Sequence, residues 1–188
     1  GSFRYVGALA DYRRYFYVRP FTFALRGLHY GRYGPDDDRF ELGPLYLGNE
    51  GLVRGYTQES FRSGECTRSA AAPDGCPEFA RLIGSRVAVA NFELRLPLLG
   101  PDRFGLFPVA FLPTEISAFV DAGVAWSAGD GAKLEFSRTS IERIPVFSAG
   151  AMARINLLGY AVVGVYYAVP FQRPLSGAQI GFQLAPGW

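Results

Sequence analysis

Residues 87–99 read VAVANFELRLPLL. In an extended chain, Ala88, Ala90, Phe92, Leu94, Leu96 and Leu98 share one face, while Asn91, Glu93 and Arg95 share the other. Side chains on a strand alternate with a period of two, so the stretch reads as a two-faced β-strand. The same period returns in ISAFVDAGVAWS (116–127), VFSAGAMARINLL (146–158), AVVGVYYAVPF (161–171) and AQIGFQL (178–184). It also runs through SFRYVGALADYRRYFYV (2–18), closed by Arg19-Pro20, and FTFALRGLHYGRY (21–33). Seven strands are clear, and about eight are expected in a single domain spanning 1–188. Asp11, Arg13 and Arg14 interrupt the first strand and leave its phase open; a bulge or, equally, a fragment edge would explain them.

Composition agrees with an all-β chain. Aromatic residues reach 15% and accompany 23 Gly and 13 Pro; aromatics suit pleated strands, while Gly and Pro punctuate them. The hydrophobic fraction is 49% although the mean hydropathy is only +0.08, so apolar residues are spread out. No run approaches the roughly 18 to 20 apolar residues of a membrane helix. A net charge of +2, without clustered basic and stacking aromatic residues, gives no reason to expect nucleic acid as a partner. The opening Gly1-Ser2, with neither Met nor a signal-peptide pattern, reads as the start of an excised C-terminal portion of a longer protein.

One continuous apolar face against one carrying charge, amide and glycine suits either a soluble sandwich or lipocalin-type barrel, with apolar side chains inside, or a membrane barrel, with lipid outside and a polar lumen. Three features point to the membrane barrel. Apolar stripes of five to six residues match the roughly 25 Å apolar band of an outer-membrane barrel. Connections alternate between short (Arg19-Pro20; Leu158 to Tyr160) and long (34–85; 127–145), like inner turns and external loops. Aromatics stand at strand ends, Trp126 and Phe171 at one side, Tyr160 and Trp188 at the other, where interfacial girdles form. The expected fold is an antiparallel transmembrane β-barrel of the bacterial outer membrane.

The long loop 34–85 contains Val53-Arg54-Gly55-Tyr56. Together with NFELRLPLLG (91–100), AFVDAGVAWS (118–127), SAGAMARINLLGYAVVGVYYAVPF (148–171) and the aromatic end, it resembles the C-terminal barrel of the Omp85, or bacterial surface antigen D15, superfamily, from about Leu47 to Trp188. The resemblance implies that the V-R-G-Y loop is extracellular and folds into the lumen, where Arg54, Gly55 and Tyr56 form a cluster with Glu93 and Asp121. Independently, both carboxylates fall on the polar faces of adjacent strands, and a guanidinium can bind them bidentately. The last strand, with Gly181, Phe182, Leu184 and terminal Trp188, resembles the signal read by the barrel assembly machinery. Family barrels commonly have more strands than this chain shows, and no periplasmic partner-binding module lies within it.

Cys66 and Cys76 bracket a Pro-Asp-Gly turn, and in an oxidising compartment they read as a local disulfide. The lone His29 reads as a rim residue, and Asp36, Asp37 and Asp38 as a solvated hairpin loop and not a cation site. No nucleophile stands with a base, and no phosphate-binding pattern is present, so no enzyme activity, metal or cofactor is expected. The resemblance implies a role in outer-membrane protein assembly, insertion or polypeptide translocation, with outer-membrane lipid and lipopolysaccharide around the wall and client polypeptides as possible partners. A membrane anchor for an upstream domain is the alternative, and a soluble ligand-binding barrel a third reading.

Overall fold

The computed structural model describes residues 3–66, 76–101, 105–109, 111–138, 142–173 and 177–186. Its elements are β1 (Val6–Val18), β2 (Phe21–Tyr33), β3 (Leu45–Tyr46), a one-turn helix α1 (Pro77–Ala80), β4 (Ile83–Gly84), β5 (Arg86–Gly100), β6 (Phe107–Pro108), β7 (Thr114–Trp126), β8 (Val146–Leu157), β9 (Ala161–Pro170) and β10 (Gln179–Pro186). The seven long strands form one sheet in the order β1-β2-β5-β7-β8-β9-β10, and every neighbouring pair is antiparallel.

The eighth member is not a wall strand. It is the two-residue β6, which pairs parallel to the end of β5 at Leu99 and Phe107. Nor does the sheet close: β1 and β10 are its two edges. Seven alternating strands leave both edges running in the same direction, so they cannot meet as an antiparallel pair.

The hairpins explain the strand spacing. The β8–β9 turn holds Leu158 and Gly159 at φ 52° and 83°, and the Tyr160 N–H donates to the Leu157 carbonyl (3.0 Å). Two central residues with positive φ match the right-handed twist of flanking strands. The β1–β2 register runs unbroken from Val6–Tyr33 to Val18–Phe21, so the first strand has no bulge. Asp11 and Arg13 share its polar face, where Asp11 binds Arg13 and Arg26, and only Arg14 points the other way, over the Phe16 ring (5.0 Å).

Residues 34–66 and 76–85 fold back over one face of the sheet. Their Leu47, Val53, Tyr56 and Leu82 bury against Leu28, Val87, Val89, Ala125 and Val146. Gly123 makes this close approach possible, since a Cβ there would stand 2.7 Å from the Val53 side chain and 2.8 Å from that of Leu47. Of the triplet expected to be solvated, Asp38 is exposed as expected, whereas Asp36 and Asp37 are buried. Asp36 accepts the Arg4 N–H (3.0 Å) and Arg39 Nε (3.0 Å), Asp37 pairs with Arg86 (2.7 Å), and Asp38 accepts the Ala128 N–H (2.9 Å). They fasten the root of the long loop to the start of β5 and to the chain just before β1 and just after β7.

The opposite face is bare. From Ala88 of β5 to Leu184 of β10, register places no Asp, Glu, Lys, Arg or His on it. Tyr167, Ile180, Phe182 and Leu184 on this face are 53, 70, 65 and 76% exposed.

Candidate functional site

Beyond the apolar patch under the loop, the covered face turns polar toward the end of the sheet that carries the short hairpin turns. β5 and β7 are adjacent with Asn91 opposite Asp121 and Glu93 opposite Phe119, so two carboxylates and an amide come together where the loop descends. Arg54 reaches them. Its Nε and Nη2 donate to the two oxygens of Asp121 (2.7 Å each), and its Nη1 donates to Glu93 Oε1 (2.7 Å). The Arg54 backbone N–H adds a 3.2 Å bond to Asp121.

The site resists water. Asp121 is wholly buried, Arg54 is 4% exposed and Glu93 is 7% exposed. The guanidinium carbon lies 3.6 Å from the Phe119 ring centroid, a cation–π contact that strengthens when desolvated. Met152 Sδ touches its Nη1 at 3.5 Å.

Burying charges is costly, and the geometry compensates through hydrogen bonds. Glu93 receives three guanidiniums: Arg54, Arg95 (2.8 Å) and Arg154 (2.7 and 2.9 Å). Asn91 Nδ2 lies 2.8 Å from Asp121 Oδ1 and 2.7 Å from the Leu52 carbonyl, so one amide links the acid to the loop backbone. Such a network fixes one position for the loop tip, because every alternative leaves a buried charge unpaired.

Gly55 adopts φ +86°, a conformation other residues rarely take, which lets Arg54 and Tyr56 leave the backbone toward different strands. Tyr56 is wholly buried. Its hydroxyl lies 2.9 Å from the Phe147 carbonyl and 3.0 Å from Gln172 Oε1, and accepts the Gln172 N–H at 3.2 Å. Burial pushes its pKa up to about 12, so it remains a neutral donor.

Of the five residues expected to cluster, the structure brings Arg54, Glu93 and Asp121 together, whereas Gly55 turns the chain away and the Tyr56 hydroxyl meets Phe147 and Gln172. Cys66 and Cys76 are joined as a disulfide at the loop's outer part. Phe182 and Leu184 lie on the bare face of the edge strand β10, and Gly181 on the covered face, where a Cβ would stand 2.1 Å from the Tyr166 ring. Trp188 lies outside the described residues. His29 sits near the long-loop end of the bare face, stacked on Trp126 at 5.7 Å.

Sequence reasoning did not single out Asn91, Phe119, Met152, Arg154, Gln172 or Arg173. The first four carried a signal, being on the polar phase of strands already recognised. Gln172 and Arg173 follow the end of β9 and have no periodicity to expose them. The arrangement fastens a charged loop tip to a polar face of the sheet through side-chain and backbone hydrogen bonds. No protein-family model matches the chain, and no curated protein matches it.

Proposed function

We propose that this sheet is part of the wall of an outer-membrane β-barrel of Omp85 type, with the long loop docked inside its lumen, and that the barrel serves insertion or translocation of polypeptides. The observation that carries the reading is the inversion of faces: the side under the loop holds the ion-pair network, while the bare side lacks charge across five strands. In water an exposed apolar surface of this extent is a liability; against lipid it is the ground state. The stripe from Ile116 to Trp126 covers ten steps of about 3.3 Å, or roughly 25 Å of height after a tilt of about 40°. Trp126 at one rim and Tyr160, 85% exposed, at the other suit the two interfaces.

An all-antiparallel ring containing this sheet must place an odd number of further strands between β10 and β1, since those edges run the same way. Pairing β10 of one copy with β1 of another meets the same obstacle.

Two measurements test the proposal. Single cysteines at positions 179 to 184, spin-labelled in liposomes, should show oxygen accessibility at 180, 182 and 184 and access to a water-soluble nickel complex at 179, 181 and 183. The opposite phase would support a soluble barrel. Liposomes bearing the protein should also accelerate membrane insertion of an unfolded outer-membrane barrel relative to empty liposomes. Correct labelling phase without acceleration would favour the anchor role.

A further inference from the structure

Arg173 lies just beyond β9, and its side chain is wholly buried. Nε and Nη2 donate to Glu65 Oε2 (3.0 and 2.8 Å), Nη1 to the Gly55 carbonyl and Ser60 Oγ (2.8 Å each), and Nη2 to the Ser60 carbonyl (2.8 Å). The guanidinium also lies 3.9 Å over the Phe61 ring. Gln172 is equally buried: its Oε1 accepts the Phe147 N–H (2.8 Å), and its carbonyl accepts from Arg81 Nη2 (2.5 Å). The Gln172-Arg173 pair is therefore gripped by two arms of the long loop, Glu65 with its neighbours on one side and Arg81 on the other.

The two arms are joined covalently. Glu65 immediately precedes Cys66, Cys76 immediately precedes α1, and Arg81 immediately follows it. The Cys66–Cys76 disulfide holds the arms with Cα atoms 4.7 Å apart across a sequence separation of 10. Both cysteines are half-buried.

We propose that Gln172 and Arg173 form a second latch on the long loop, independent of Arg54, and that the Cys66–Cys76 disulfide makes this latch redox-sensitive: reduction uncouples the two arms and releases the part of the loop beyond the Arg54 tip together with Gln172 and Arg173. The reductant is a dithiol. Its thiolate attacks one protein sulfur, the Cys66–Cys76 bond breaks and a mixed disulfide forms; the second thiolate then displaces the protein sulfur. Two electrons and two protons pass to the cysteines, and the dithiol leaves as a disulfide. Freeing a loop of about ten residues shifts the ratio of released to latched forms by roughly a hundredfold on chain-entropy grounds. The latch is a property of the folded loop and does not rest on the membrane reading.

The test is hydrogen exchange by mass spectrometry on the folded chain, oxidised, reduced with dithiothreitol and reoxidised. Reduction should accelerate exchange by tenfold or more in peptides over 57–65 and over 177–186 together, leave β5 and β7 unchanged, and reverse on reoxidation. The Cys66→Ser/Cys76→Ser double variant should match the reduced protein. Arg173→Lys, which retains charge but loses the fork, should accelerate the same two regions even when oxidised. Exchange within twofold on reduction, or acceleration of 57–65 without 177–186, overturns the proposal. Should the variants fail to fold, the reduced and reoxidised wild-type protein supplies the test alone.

Discussion

Arg54→Ala is the sharpest perturbation available. It removes the two guanidinium bonds to Asp121 and the one to Glu93. Glu93 keeps Arg95 and Arg154, but Asp121, with no exposed surface, retains only the residue 54 backbone N–H and the Asn91 amide. Removing one partner of a buried ion pair costs about 3 to 5 kcal/mol, because the remaining charge stays desolvated. At about 1.4 kcal/mol per decade, the docked-to-released ratio of the loop should fall by roughly two to three and a half orders of magnitude. Limited proteolysis and hydrogen exchange over residues 47–60 read that ratio. Arg54→Lys, a point charge without the fork, should lie between wild type and Ala. Adding Asp121→Asn removes the stranded charge, so the double variant should recover part of the loss, with a coupling of about 2 kcal/mol or more. Cleavage of Arg54→Ala within threefold of wild type, or strict additivity with Asp121→Asn, would refute the claim that this ion pair holds the loop.

Other outcomes follow from the same geometry. Gly123→Val places side-chain atoms where Val53 and Leu47 already stand, and overpacking of this kind costs about 1 to 3 kcal/mol; loop exchange should quicken, whereas Gly27→Ala, with open space around it, should leave the loop unaltered. The Asp36 pKa is lowered, by the Arg4 backbone N–H and then by Arg39. Its ionised form is therefore favoured in the folded state, so its contribution is complete above the unfolded carboxylate pKa and lost as pH falls through the lower folded value. Acid unfolding should be steeper in wild type than in Asp36→Asn, and superimposable acid limbs would contradict this. Ala151 lies on the bare face; if that face meets lipid, Ala151→Arg should cost about 2 to 4 kcal/mol of folding in liposomes, while Gln183→Arg on the covered face should be tolerated. Equal folded fractions for the two, read by heat-dependent gel mobility, would remove the lipid-facing assignment.

Much of this architecture was legible in the order of residues, because alternation is local. A period of two assigns Phe92 and Leu94 to one face and Asn91 and Glu93 to the other whatever lies beside them, and the same rule counted seven strands and set Asp121 on the polar side. Tertiary structure decided what local periodicity does not encode. The phase of β1 became readable only from its register with β2, which sets Arg26 beside Asp11 and leaves Arg14 alone on the opposite face. The open sheet follows from the shared direction of β1 and β10, a global parity that no single strand carries. Asp36 and Asp37 look solvated in sequence and are buried in space against Arg4, Arg39 and Arg86, while the exposed Asp38 reaches Ala128 ninety positions away. Gln172 and Arg173 are the clearest case: they follow a strand end, where periodicity stops, and their burial depends on a loop more than a hundred residues earlier. Side-chain alternation comes from the geometry of each residue and its immediate neighbours, whereas burial of a charge depends on which distant groups arrive to compensate its desolvation, and only the folded chain settles that.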